Sequence, residues 1–448
     1  MLLGIKNGMV MQRNSENVAD ITVTSDTALT FVHYTGFCSG EAAILHLADG
    51  RYRLTGIPVG GPYELRTDNA TFMDIYVGDL WILAGQSNMQ GVGWFAPEDL
   101  TDPGEPDIRA LYMEDEWGVA RHPLHLMWKA KDKVHTQVLH SRPPEGELYQ
   151  GVGPGITFAQ TMKKLTGGVP QGLLCCAHGG ASLTHWSEKI KEEGPDKSLY
   201  AAMQRRYKAN GSHVRGMFWY QGCADAFDGT ADTFEERMLS FIASFRNDFG
   251  LIPIIQVQLA RVVHPMWPGL EENWIKIREI QRLLPQKVEG LYTIGSINKS
   301  LDDLIHLSRS AQLELGVQGA EAMYYALHGS QDYHFEAPPE FESVRVMENP
   351  LSQKVDIEVI FRNVYGGLKS DGRTSGFSLT HHPYKPDTDV AVNVCLKKNM
   401  AKIRTWISRQ EMEGMYLYYG FGLDPYANIT DARGRDIPCF GPIKLEMK

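Results

Sequence analysis

Residues 77–89 read VGDLWILAGQSNM, an apolar run that stops abruptly at Gly85, Gln86, Ser87 and Asn88. A continuous apolar stretch is what a strand buried on both faces of a parallel sheet requires, and a glycine at its end permits a sharp turn that presents a hydroxyl. Four more such runs follow: QGLLCCAHG (171–179), RGMFWYQG (215–222), IPIIQVQLA (252–260) and GLYTIGSI (290–297). Helix-length amphipathic stretches lie between and after them: FAQTMKKL, LYAAMQRRYKAN, ADTFEERMLSFIASFRNDF, ENWIKIREIQRLLP and SAQLELGVQGAEAMYYALHG. This alternation predicts a three-layer α/β/α domain over residues 78–334, built on a five-stranded parallel sheet with right-handed crossovers. Ligands are then expected at the carboxyl ends of the strands.

Outward from that block the period changes. Residues 1–77 carry short alternating stretches, ADITVTS, LTFVHYTG and GRYRLTGIP, cut by Gly, Pro and Asn. Residues 335–448 do the same in SVRVMEN, KVDIEVIFRNV, AVNVCLKK and MYLYYGFG, with turn-rich GGLKSDGRTSG and LDPYANITDARGRD between them. Both flanks are read as β accessory regions. A length of 448 residues exceeds what one hydrophobic core sustains, in keeping with several domains.

Composition narrows the partners. Apolar residues make up 43% of the chain and charged residues 22%, enough to build cores without disulfide staples. The net charge of -10, with no basic run interleaved with aromatics, argues against nucleic acid and anionic membrane as partners. No apolar stretch approaches the roughly 20 residues of a membrane span. The opening MLLGIKNGMVMQRNSE lacks the basic and long apolar segments of a secretory signal, which gives a cytoplasmic expectation. Six cysteines, two of them adjacent at Cys175 and Cys176 in an expected buried strand, read as reduced thiols. There is no C-x-x-C, H-E-x-x-H or Asp-rich calcium loop, so neither metal nor cofactor is expected.

Chemistry-bearing residues gather at the strand ends. Ser87 closes the first strand, and a serine nucleophile needs a base together with donors for the oxyanion. After the fifth strand comes SINKSLDDLIHLSRSAQ, where Asp303 and His306 stand three residues apart. On one turn the carboxylate can accept from one ring nitrogen while the other serves Ser87. Taken singly these residues read as helix caps or surface groups. HGGAS after the second strand adds Gly179 and Gly180, where backbone can approach a ligand closely, and WYQGCAD after the third adds the Gln221 amide. Four such features on one sheet edge point to catalysis.

These blocks resemble, in order, those of the sialate O-acetylesterase-like branch of the SGNH hydrolases. VGDLWILAGQSNM is similar to its nucleophile block, HGGASLTHW to its Gly-Gly-Thr block ending in Trp, WYQGCAD to its Trp-Tyr-Gln-Gly-Glu-Ser-Asp block and DDLIH to its Asp-x-x-His block. NGMVMQR, IPIIQVQLA, GGLKSDGRTSGFSL and YANITDARGRDIPCFGPI also look like family segments. The resemblance implies an SGNH-type, flavodoxin-like fold with Ser87 as nucleophile, His306 as base and then acid, and Asp303 as orienting carboxylate. The oxyanion donors it implies are the amides of Ser87 and of Gly179 or Gly180, with the Gln221 side chain; Gln86, Asn88 and Trp186 would meet substrate. Three positions depart from the pattern: Cys223 replaces its Glu, Ala181 its Thr, and His185 the acidic residue before Trp186. The sialic-acid specificity therefore does not carry over with the motif.

The expected activity is hydrolysis of acetyl esters on mono- or oligosaccharides, with the oligomeric state left open. Trp94, Trp186 and Trp219 lie near the strand-end motifs as candidate sugar-stacking residues, with Trp219 the one expected in the core. A lipid or thioester hydrolase using the same triad is one alternative. A carbohydrate-binding protein with a vestigial triad is another, and release of p-nitrophenol from its acetate ester separates them.

Overall fold

Why the 77–89 run decides the architecture is visible in the strand it forms. The computed structural model describes residues 2–263, 269–329, 335–385 and 391–446. Strand β1, Thr71–Gly85, is buried at every position from Ile75 onward. The other strands of the α/β part are β2 (Ile108–Leu111), β3 (Gln171–Cys175), β4 (Gly216–Tyr220), β5 (Ile254–Val257) and β6 (Leu291–Ile294). All five expected strands form. The expected helices form as well, at Gly155–Leu165, Leu199–Lys208, Phe234–Phe249, Leu270–Leu283 and Arg309–His328.

The chain makes two compact units. The first comprises Met1–Trp219, Arg237–Ile254 and Gln312–Glu321; the second comprises Tyr220–Glu236, Ile255–Ala311 and Ala322–Lys448. In the first, the strand order is Trp117–Val119, β2, β3, β1, β4. β2 runs parallel to β3, and β3 parallel to β1 with Leu173 opposite Trp81. The Ile108–Leu111 strand adds to the five read from the sequence. Arg109 interrupts its apolar run, so it carries no continuous apolar signal, yet all four residues are buried.

The N-terminal region is less separate than its composition implies. β1 runs through positions 77 and 78 without a break, and Val10–Gln12 pairs parallel to it. Arg13 grips the buried Asp79 with two bonds, Nε to Oδ1 at 2.9 Å and Nη2 to Oδ2 at 2.8 Å. A bidentate guanidinium compensates a carboxylate that would be costly to bury alone. The expected antiparallel strands do occur at Val18–Ser25, paired with Arg51–Pro58, and at Val32–Gly36, paired with Gly60–Thr67. They enclose a core around Ile21, Leu54, Leu65 and Val77.

In the second unit β5 and β6 are neighbours, with Gln258 N–H donating to Ile294 O at 3.0 Å. The C-terminal region contributes an antiparallel sheet in the order Glu340–Glu348, Val355–Arg362, Met400–Thr405, Ala391–Lys397. Its core includes Ile357, Phe361, Leu417 and Phe440. The expected boundary at 334 falls beside residues 330–334, which lie outside the described ones. Among the described residues no helix is long and apolar enough to cross a membrane.

Candidate active site

In the first unit, the turn after β1 is built by Gly85 at φ +130°, a conformation that only glycine adopts at little cost. Helix α1, Ser87–Gln90, begins at once, and Gly91 N–H donates to Ser87 O at 2.9 Å. Ser87 is 8% exposed, so its hydroxyl belongs to a walled site rather than to a surface loop. Two donors hold the Gly85 carbonyl, His178 N–H at 3.1 Å and the Trp186 indole N–H at 3.3 Å.

That bond bears on Trp186, which has no exposed surface and packs edge-on against Trp219 at 5.2 Å. A ring so enclosed supports the turn at Ser87 and cannot stack on a sugar, which corrects its assignment as a substrate contact. Trp219 is a core residue, as expected. Trp94 is different: it is 50% exposed, beside the exposed Tyr149 at 6.5 Å between ring centres. Gln86 and Asn88 are both buried, and Asn88 Oδ1 accepts from Gln312 Nε2 at 3.2 Å. Asn88 therefore has a structural partner in the helix Arg309–His328.

Gly179 lies against the same turn, since a Cβ added to it would come within 3.6 Å of the Ser87 Cβ. Its N–H donates to Gln90 Oε1 at 2.7 Å. Gln90 is a residue the sequence reading did not single out. Its backbone carbonyl is bonded in turn by His125 Nδ1 at 2.8 Å. Gly180, at φ +73°, has open space around its Cα. Behind these glycines is a buried imidazole pair, with His135 Nδ1 and His178 Nδ1 2.9 Å apart. Burial holds His125 down to about 3 and His178 to about 4, and His135 well below the usual histidine value.

In the second unit Gln221 is fully buried, and Gly222 follows at φ +134°. The Gln221 amide Nε2 donates to Asp225 Oδ2, and its backbone carbonyl accepts from Gln281 Nε2 at 2.9 Å. Asp225, the last residue of the WYQGCAD block, fixes that amide; its signal lay in the motif itself. Cys223 is also buried, and burial pushes its thiol up to about 12.

Asp303 and His306 meet as expected. Asp303 Oδ2 lies 2.7 Å from His306 Nδ1, while its Oδ1 accepts the Ile305 and His306 amides at 2.9 and 2.8 Å. Burial raises the Asp303 carboxyl, but these bonds and the nearby imidazole outweigh it and leave the group below its ordinary value. Asp302 has another task, since its Oδ2 accepts Arg309 N–H at 3.1 Å where the last helix starts. The loop closes on itself, through Ser308 N–H to Ser300 O at 2.9 Å and Asp302 N–H to His306 O at 3.0 Å. Among the described residues, no cluster of three His, Cys, Asp or Glu side chains is arranged to hold a metal ion.

Residues 77–325 match the family model described as carbohydrate esterase, sialic acid-specific acetylesterase. Among solved structures, the chain is similar to a carbohydrate acetylesterase from Xanthomonas citri, at 19% identity over 98% of each chain with a TM-score of 0.70. It is also similar to a protein from Arabidopsis thaliana, at 27% identity over 55% of this chain and 98% of that one, with a TM-score of 0.43. No curated protein matches the sequence. At such identity the first of these likenesses establishes the fold, an SGNH-type α/β architecture carried with its flanking β regions.

Proposed function

The chain belongs to the family of sialic acid-specific acetylesterases among the carbohydrate esterases, and on that premise we propose that it removes acetyl groups from sugars by a serine acyl-enzyme route. Ser87 Oγ attacks the acetyl carbonyl carbon while His306 takes its proton. The tetrahedral intermediate collapses, the sugar hydroxyl leaves with the proton from His306, and an acetyl-Ser87 ester remains. Water, giving its proton to His306, then attacks that ester; the bond to Ser87 Oγ breaks, His306 returns the proton to that oxygen, and acetate leaves.

The observation that carries this reading is the 2.7 Å bond between His306 Nδ1 and Asp303 Oδ2. It favours the tautomer protonated at Nδ1, makes Nε2 the basic nitrogen and stabilises the imidazolium that forms. Donors for the oxyanion are the amides of Ser87 and of Gly179 or Gly180 and the Gln221 side chain. Gly179 serves only if the oxyanion displaces Gln90 Oε1 from its N–H, whereas Gly180 borders open space. Asp225 acts through Gln221 as a positioning residue.

The fine substrate is not inherited from the family description, because Cys223, Ala181 and His185 replace the residues of the motif beside the site. The test is acetate release from acetylated xylan, mannan, pectin and O-acetylated sialic acid, with Ser87→Ala as control. Release by wild type from at least one of these, lost in Ser87→Ala, is the expected result. Equal release by both proteins would remove the serine mechanism.

A further inference from the structure

Within the second unit, residues 258–263 after β5 are anchored on two sides. Val262 N–H donates to Leu423 O in the C-terminal β region, and Val263 N–H to Leu304 O in the loop that carries His306, both at 2.9 Å. Arg261 immediately precedes these anchors, with Nη1 2.7 Å from Asp424 Oδ1 and Nε 3.3 Å from Lys299 O. Beside it is a cavity of about 340 Å³, walled by Arg261, by residues 297–300 after β6 and by residues 424–427 of the C-terminal region. Ser300, in that wall, also closes the neck of the base loop, its hydroxyl 2.5 Å from that of Ser308. The cavity thus adjoins the loop that presents His306.

Its size is that of a small-molecule pocket, at the lower end of the usual range. Its lining mixes polar and apolar groups and holds one aromatic: Tyr426 lines it with 66% of its surface exposed. Both cations in the wall have a carboxylate partner, Arg261 with Asp424 and Lys299 with the buried Asp436 at 3.5 Å. A charge-balanced wall offers no spare cation to an anionic ligand. A guanidinium beside a carboxylate supplies donors and an acceptor together, which suits adjacent hydroxyls, and an exposed aromatic suits the apolar face of a sugar ring.

We infer that this cavity is the subsite for a neutral sugar ring of the acetylated substrate, and that the C-terminal β region supplies half of it. The inference rests on the esterase reading and gives the accessory region a direct part in specificity.

The experiment uses the full chain. Ser87→Ala, which binds without turnover, is titrated calorimetrically with acetylated xylo- and manno-oligosaccharides and with O-acetylated sialic acid, alone and combined with Tyr426→Ala, Tyr426→Phe or Asp424→Ala. The expected result is binding of a neutral oligosaccharide that Tyr426→Ala weakens about tenfold and Tyr426→Phe restores to within about threefold, since the ring carries the contact. In the active chain, KM for that saccharide rises by a similar factor, well beyond any change with p-nitrophenyl acetate. Asp424→Ala leaves Arg261 uncompensated, so affinity for the sialic acid relative to the neutral sugar should rise about fivefold or more. Binding of neither neutral probe, affinity in Tyr426→Ala within about twofold of its parent, or tighter binding of the sialic acid by the otherwise unchanged chain would overturn the assignment. Hydrolysis of p-nitrophenyl acetate keeps the two readings apart. If it persists in Ser87→Ala, the esterase reading and the subsite fall together; if it is lost while sugar affinity ignores Tyr426, the subsite alone falls.

Discussion

The turn at Ser87 and the loop at His306 are held in opposite ways. Ser87 follows a strand whose last eleven residues are all buried, and its turn is fixed by partners distant in sequence, Trp186, His178 and Gly179 among them. His306 sits on a loop where Leu304 is 47% exposed and which bonds to itself through Asp303, Ser308 N–H to Ser300 O and Asp302 N–H to His306 O, with Val263 N–H reaching Leu304 O from outside it. The first is held by the close-packed core around it; the second is held largely through hydrogen bonds, those of Asp303 and of its backbone among them. A substitution at the turn is therefore felt through packing, and one in the loop through a single hydrogen bond.

Replacing Ser87 is the strongest test of this contrast. Ser87→Ala should lower kcat for p-nitrophenyl acetate by about 10⁴-fold or more while melting stays close to wild type, because the hydroxyl adds little to the packing that fixes the turn. Activity above about one per cent would remove the serine assignment. In the loop, Asp303→Asn keeps the shape but loses the charge beside the imidazolium, and kcat should fall roughly 10²- to 10⁴-fold. Asp302→Asn should cost less than about tenfold, because that side chain caps a helix rather than the imidazole. A larger loss at 302 than at 303 would reverse the triad register.

The buried imidazoles make the turn, rather than the loop, sensitive to acid. His125 and His178 have folded values pushed down by burial, so the unfolded chain binds protons more readily. Their contribution to stability is whole above the unfolded value of about 6.5 and is lost progressively as the pH falls towards about 4. The folding constant should drop about 10²-fold or more over that window, and His125→Asn should flatten the profile. Denaturant melts at pH 7, 6 and 5 measure it; an unchanged slope in the variant would place the charge elsewhere. Asp303, with its lowered value, remains anionic through this range, so its own contribution is lost only at still lower pH.

Two smaller effects refine the picture. Asp225→Asn should reduce kcat about tenfold or somewhat more with KM nearly constant, since it loosens the amide of Gln221 without touching substrate. A change in KM alone would make Asp225 a binding residue. Cys223→Ala should leave turnover within about threefold of wild type, because a buried thiol held up to about 12 is not a nucleophile at neutral pH. A loss rivalling that of Ser87→Ala would shift the chemistry to sulfur.

The strands and helices of the α/β part were legible because continuous apolar runs and amphipathic periods are local properties of the chain. The Asp303–His306 pair was legible for the same reason, its three-residue spacing placing both groups on one turn. The place of Ser87, just past the end of a buried strand, was legible as well. What the sequence left open depended on residues far apart in the chain. Trp186 read as a substrate contact and became a core residue, because Trp219 and Phe241 enclose it. Gln90 carried no signal until its side chain met Gly179. Arg13 and Asp79, sixty-six residues apart, joined the N-terminal segment to the central strand. Tyr426 and Asp424 came to wall the cavity beside the base loop only through the folding of the C-terminal region. Periodicity and spacing report what a residue does within a turn or a strand; which distant side chain covers it is settled by packing, and packing exists only in the folded chain.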